Sequence, residues 1–251
     1  MKKWLLILLL TSASAQAVEQ GVKEISPGRL LLKEGEMAVG IGPAPGKIER
    51  VLIIIHGRLR NAETYRQNAE RATEQAGQSA NTLVIAPQFL NETDVARHPV
   101  ADTVLRWQGN DWMAGGSSTA PFALSSFAAL DQIIARLGDR RQFPDVKDVV
   151  IVGHSGGAQV VQRYALLSHG QPELEAAGVH VRYVVANPSS YAYFDERRPV
   201  AFSHAGCPDY NRWKYGLADL PAYAEGQTPR QLEDNYVQRD IVYLMGQQDI
   251  D

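Results

Sequence analysis

The chain has 251 residues, 45% hydrophobic and 21% charged, with a formal net charge of -3, which describes one ordinary globular domain with residues enough for a sizeable core. It carries no basic run or stripe, so nucleic acid is not an expected partner. One cysteine cannot build a zinc site, and the histidines at 56, 98, 154, 169, 180 and 204 form no His-Glu-x-x-His or closely spaced pair, so neither a metal nor another cofactor is expected.

The N-terminus has a basic start at Lys2 and Lys3, an apolar core from Trp4 to Leu10, then small residues. That order is the composition of a signal peptide. Ala15-Gln16-Ala17 fits the small-x-small cleavage rule, with Ala13-Ser14-Ala15 as the alternative, and the apolar core is far too short to span a bilayer of about 30 Å. Residues 1–17 are therefore set apart as a leader and 18–251 as the domain, expected to be secreted or periplasmic. No cysteine follows the apolar core to carry a lipid.

Leu30 to Leu32 and Met37 to Ile41 predict short strands forming an antiparallel entry to a sheet, and Gly42-Pro43-Ala44-Pro45-Gly46 breaks the pattern. Arg50 to Ile55 predicts a buried strand ending in His56-Gly57. Asn61 can cap a helix with Tyr65, Ala69, Ala72 and Ala76 on its apolar side, closed by Gly77, and Thr82 to Ala86 reads as another strand. Pro87 to Pro121 is long for a plain connection and is expected to be functional or mobile. Ser125 or Ser126 caps a helix carrying Phe127, Leu130, Ile134 and Leu137, which stops at Gly138.

Asp148 to His169 is the stretch around which the chain is organised. Val149, Val150, Ile151 and Val152 are a continuous β-branched run, as in a strand covered on both faces of a parallel sheet. From Ala158 onward Val161, Ala165 and Ser168 alternate with polar Gln162 and Arg163, as on a helix packed against a sheet. Between them Gly153-His154-Ser155-Gly156-Gly157 matches G-x-S-x-G, the nucleophile elbow, in which strained backbone lifts the serine out of a strand-to-helix turn. The bare pattern arises by chance in roughly one chain in ten of this length, so its weight lies in the strand before it and the helix after it. A phosphate cradle would carry the Gly-Lys-Ser/Thr ending or the dinucleotide-binding spacing, and neither is present. A further strand at His180 to Ala186 completes the alternation of strands with helices, which argues a doubly wound, mostly parallel α/β sheet.

From about Arg50 onward the chain resembles the α/β-hydrolase family. The resemblance rests on Ile55-His56-Gly57, on Gly153 to Gly157, and on Ile241-Val242-Tyr243-Leu244-Met245-Gly246-Gln247-Gln248-Asp249. Ala186-Asn187-Pro188-Ser189-Ser190-Tyr191 is also similar to a stretch in exported bacterial and fungal members. The resemblance implies Ser155 as nucleophile, followed in the chain by an acid after a later strand, for which Asp249 stands, and then by a histidine base. It implies an oxyanion hole from the backbone N–H groups of Gly156 and of the turn after His56-Gly57, at Arg58. His56 is read as shaping that turn, and His154 as an elbow residue packed beside the sheet.

No histidine follows Asp249 in these 251 residues, so the base is expected beyond residue 251, with His204 as the alternative. Cys207 is read as half of a disulfide or as a buried free thiol. Residues 188–238, between two core strands, are expected to form a cap-like insertion, whose aromatic residues serve either a substrate cleft or its own small core. The last strand, with Val242 and Leu244, is expected to leave its outer edge without a partner. The leading expectation is an exported serine hydrolase cleaving a small-molecule or polymer ester through an acyl-enzyme, with peptidase or amidase variants of the same machinery. The alternative is a catalytically inactive binding protein of the same fold, or an inert fragment. Substrate identity and oligomeric state are not readable from the sequence.

Overall fold

Residues 20–200 and 204–248 are described by a computed structural model. In chain order, β1 (Gly28–Leu31) and β2 (Glu36–Ile41) lead to β3 (Arg50–Ile55), α1 (Ala62–Gln75) and β4 (Thr82–Gln88). Then come α2 (Glu92–Arg97), the small hairpin of β5 (Arg106–Trp107) and β6 (Ser118–Ala120), and α3 (Ser126–Leu137). β7 (Asp148–His154), α4 (Gly156–Leu167), α5 (Gln171–Ala176), β8 (His180–Ala186), α6 (Pro229–Val237) and β9 (Asp240–Leu244) follow.

Seven strands form one sheet in the order β1-β2-β4-β3-β7-β8-β9. β1 and β2 enter antiparallel, and every pairing from β4 to β9 is parallel. The chain winds outward from β3 to β4, returns to the middle, and winds the other way through β7, β8 and β9. The winding therefore reverses between neighbours β3 and β7, and in such sheets ligands bind in the crevice outside the carboxyl ends of the strands at that reversal. The sheet is the doubly wound α/β arrangement that the sequence predicts.

The main core lies between the sheet and α3 and α4, where Val51, Ile53, Ile55, Val149, Ile151 and Tyr183 meet Phe127, Leu130, Ile134, Val161 and Tyr164. A smaller cluster on the opposite face packs Ile54, Val84 and Ala86 against Ala62 and Ala69 of α1. α1 covers β2, β3 and β4 on that face. This corrects one expectation. β7 is not covered on both faces: Val149 and Ile151 are buried, but Val150 and Val152 stay half-exposed, because α1 packs chiefly over β4 and β3 and Val152 only partly joins its apolar cluster.

Three other readings change. Gln162 and Arg163 are not a polar outer face of α4, since every residue of that helix from Gly156 to Leu167 is buried, on one side by the sheet and on the other by the 188–238 segment and the Asp111–Ala114 turn. Residues 87–121 are ordered structure rather than an open loop, with Trp107 and Trp112 fully buried and a capping box at Asn91 and Asp94 opening α2. Cys207 is exposed, which overturns the buried-thiol alternative. Of the two candidate caps, Ser125 is the one used: its hydroxyl accepts from the Phe127 N–H at 3.2 Å, which supplies one of the donors a helix start leaves unsatisfied. Asn61 stands at the N-cap of α1 without a side-chain capping bond. Among the described residues, no helix is long and apolar enough to cross a membrane.

Candidate active site

Ser155 sits between β7 and α4 with φ 55° and ψ -120°, a conformation that side chains other than hydrogen rarely adopt. The turn is held from both sides. Ser155 N–H donates to Ala186 O at 3.0 Å, and Ser155 O accepts from the Gln159 N–H at 3.2 Å. Two glycines make the turn sterically feasible. A Cβ on Gly157 would come within 2.7 Å of His56 O, and one on Gly153 within 2.7 Å of Ala158 N, so only hydrogen fits where strand, turn and helix cross. Among the described residues, nothing hydrogen-bonds the Ser155 hydroxyl, and its side chain is half-exposed.

β3 ends beside this turn and delivers Gly57 and Arg58. The Arg58 N atom lies 3.0 Å from where a Cβ on Gly156 would stand, so the two backbone N–H groups border one small space next to Ser155. Neither makes a backbone hydrogen bond among the described residues. Met113 Sδ closes the same space, 2.9 Å from that Cβ position. Two unoccupied N–H donors next to a hydroxyl, one of them at a helix N-terminus with its partial positive charge, form a cradle suited to an oxyanion.

The Arg58 segment is fixed by an ion pair that the sequence reading does not find. Arg60 and Asp94 are 2% and 0% exposed and paired bidentately along one guanidinium edge, Nε to Oδ2 at 2.7 Å and Nη2 to Oδ1 at 3.2 Å. Asp94 also accepts from the N–H groups of Val22 and Asn91, and Arg60 Nη1 donates to Arg58 O at 3.0 Å. Thirty-four residues separate the partners. The capping box at Asn91 and Asp94 is legible as a helix start, but nothing in a linear pattern links it to Arg60.

His56 is sealed below the cradle. Its Nε2 accepts from the Phe89 N–H at 2.9 Å, which leaves Nδ1 to donate to Gly57 O at 2.9 Å. Its ring meets Trp112 and Phe89 edge-on. Burial in this aromatic setting lowers its pKa to about 4, so it is neutral and structural. His154, read as packed beside the sheet, is instead exposed on the open face, with Nδ1 3.3 Å from Tyr65 Oη. Asp249, the leader at 1–17 and the side chain of His204 lie outside the described residues.

Two further features adjoin the turn. Asn187, with φ 47°, follows β8 directly. Its Oδ1 accepts from the Gly246 N–H at 2.9 Å, and its own N–H donates to Leu244 O at 3.0 Å, which fixes the departure of the chain after β9. The 188–238 segment folds onto α4 through Gln159 and Gln162, which bond Ser189, Ser190 and Ala192. Its aromatics divide between two roles. Tyr223 donates to Asp131 of α3 at 2.5 Å and meets Phe127 edge-on, and Phe194 meets Tyr236 edge-on, all packed against the main core. Trp213, Lys214 and Tyr215 line a cleft of about 510 Å³ together with Asp111 and Ala114, next to Met113.

The elbow, the paired N–H groups and the strand reversal are now all on one side of the sheet. Residues 52–248 match the sequence profile of the Alpha/beta hydrolase family. The chain belongs to that family. No curated protein matches it. Among solved structures it is similar to LpqC, a poly(3-hydroxybutyrate) depolymerase from Bordetella parapertussis, at 22% identity and TM-score 0.59, over 89% of this chain and 67% of that one. It is also similar to poly(aspartic acid) hydrolase-1 from Sphingomonas sp. KT-1, at 22% identity and TM-score 0.55, over 93% of this chain and 74% of that one. At such identity both show the shared fold.

Proposed function

We propose that the protein is an exported serine hydrolase that cleaves a carboxylic ester through an acyl-enzyme. One observation carries this reading: among the described residues the Ser155 hydroxyl stands unbonded on a positive-φ turn beside two free N–H donors, at the point where the sheet winding reverses. In the proposed reaction Ser155 Oγ attacks the acyl carbon while its proton passes to a base. The carbonyl oxygen takes the negative charge and is held by Arg58 N–H and Gly156 N–H. Collapse expels the alcohol, which takes up that proton. Water then attacks the acyl-enzyme by the same route and releases the acid and Ser155.

Asp249 is proposed as the acid that orients the base. The position of Asn187 supports this, since it anchors Gly246 next to the end of β8 and so starts the chain toward Asp249 from beside the elbow. The base itself comes from outside the described residues, because no described histidine bonds Ser155 Oγ. Export and removal of the leader rest on the composition of residues 1–17; protein confined to the cytoplasm would refute export, and an exported product that still began at Met1 would refute cleavage near Ala17. The substrate is a small-molecule or polymer ester.

The test is labelling by a serine-directed fluorophosphonate together with turnover of a short activated ester. Ser155→Ala should abolish both. A Ser155→Ala protein with unchanged turnover would remove this serine from the mechanism. The absence of a described histidine at Ser155 favours a second reading, a catalytically inactive binding protein of the same fold, and a wild-type protein that is neither labelled nor active would support it.

A further inference from the structure

Arg163 is fully buried in α4, two turns beyond Ser155, and has no carboxylate partner among the described residues. Its guanidinium is held by neutral acceptors only. Nε donates to Lys214 O at 3.2 Å, Nη1 to Met113 O and to Gln159 Oε1, each at 3.0 Å, and Nη2 to Ser190 Oγ at 3.0 Å. A buried ion without a counter-ion is costly, and the other buried arginine among the described residues, Arg60, has Asp94. Burial draws the Arg163 pKa down only to about 10, so the charge persists at neutral pH.

The place of that charge explains its retention. Side chains on a helix lean toward its N-terminus, and the bond to Gln159 brings the guanidinium back toward the elbow. Met113, whose carbonyl Arg163 holds, is the residue whose Sδ closes the space between Arg58 N and Gly156. Arg163 therefore fixes one wall of the oxyanion cradle and also adds a positive field behind it. Of the nearby charges, Lys214 and Arg58 add to that field and Asp111 opposes it.

We propose that Arg163 is a positioning residue for the Ser155 centre, whose uncompensated charge stabilises an anion forming at the elbow. Its Cα is about 12 Å from that of Ser155 along the helix axis. At an effective dielectric of about 20, a unit charge at that separation favours the anion about tenfold.

The inference is tested without relying on turnover. Ser155→Cys in a Cys207→Ser background, which removes the exposed thiol, places a titratable sulfur where the proposed nucleophile stands. The pH dependence of its alkylation by iodoacetamide gives the thiol pKa, ordinarily about 8.5. Arg163→Met should raise that pKa by about one unit, the same tenfold, and Arg163→Lys, which keeps charge but not the planar fork, should recover at least about half of the shift. If Arg163→Met does not fold, Arg163→Gln, neutral but still a donor, is compared with Arg163→Lys. A pKa within about 0.3 unit of the parent in the neutral variant, or equal values for Lys and the neutral variant, would overturn the proposal. This inference rests on the reading of Ser155 as the reactive centre, yet the two fail separately: activity surviving Ser155→Ala refutes that reading alone, and an unmoved thiol pKa refutes only the role of Arg163.

Discussion

Replacing Asp94 by alanine should destabilise the protein by about 3–5 kcal/mol, the usual cost of removing one member of a fully buried ion pair. The structure places this site firmly in that class. Asp94 is 0% and Arg60 2% exposed, so solvent screens neither, and four donors converge on the carboxylate: Arg60 Nε and Nη2, and the N–H groups of Val22 and Asn91. Without it, Arg60 loses this carboxylate and retains the carbonyl oxygens of Arg58 and Gln20, and the N–H groups of Val22 and Asn91 lose their acceptor. For a domain of this size the loss corresponds to a fall of about 6–20 °C in Tm. Thermal or guanidinium unfolding measures it. Because Arg60 also grips Arg58 O, fluorophosphonate labelling of the folded fraction should slow as well. Arg60→Met/Asp94→Leu should recover part of the stability, since replacing both ends of the pair with apolar groups avoids keeping a buried guanidinium where its carboxylate has been removed. A loss below about 1 kcal/mol in Asp94→Ala, or a double variant no better than the single one, would refute this account.

Acid should destabilise the protein through His56. Its folded pKa is lowered to about 4 against about 6.5 unfolded, so the unfolded chain binds more protons between those values. The stability is fully present above pH 6.5 and declines as pH falls toward 4, by about 3 kcal/mol for the full interval. Denaturant unfolding of wild type and His56→Gln across that window checks it, and equal slopes in both would remove His56 as the cause. Gly157→Ala should cost about 3 kcal/mol or more by unfolding, since its Cβ meets the backbone carbonyls of Ile55 and His56, whereas Gly156→Ala meets the flexible Met113 and Arg58 N. Gly156→Ala should therefore keep most of its stability and lose labelling rate, and the reverse ranking would contradict the cradle.

The strands were legible because their evidence is local. The β-branched runs at Arg50 to Ile55 and His180 to Ala186 became strands with those same limits, and the glycines around Ser155 announced the turn. What the sequence concealed depends on who covers whom. Gln162 and Arg163 look like a solvent face on a helical wheel, but the 188–238 segment lies over them, and a polar residue buried under a later segment carries no mark of it. Val150 and Val152 err in the other direction: their composition fits full burial, and the neighbouring helix leaves them half-exposed. The Arg60–Asp94 pair escaped for a third reason, because partner choice between distant charges is settled by three-dimensional register alone.

The backbone of Ser155 shows why so much buried polar structure surrounds one turn. A residue other than glycine held at φ 55°, ψ -120° costs about 1–3 kcal/mol, and it persists only where its surroundings leave no alternative. Three constraints arrive from different parts of the chain. β8 holds Ser155 N–H through Ala186 O, the glycines at 153 and 157 let strand and helix close on the turn, and the β3 segment abuts Gly156. Two of those parts are themselves anchored, the β3 segment by Arg60 with Asp94 behind Arg58 and the end of β8 by Asn187, and Arg163 holds Met113 against Gly156. The proposed role of Ser155 gives this reinforcement a use, because a relaxed loop joining β7 to α4 would leave the hydroxyl free to move. The strain and its supports are accounted for together if the hydroxyl has to be presented rigidly and unbonded beside two open donors, which is the demand of nucleophilic catalysis.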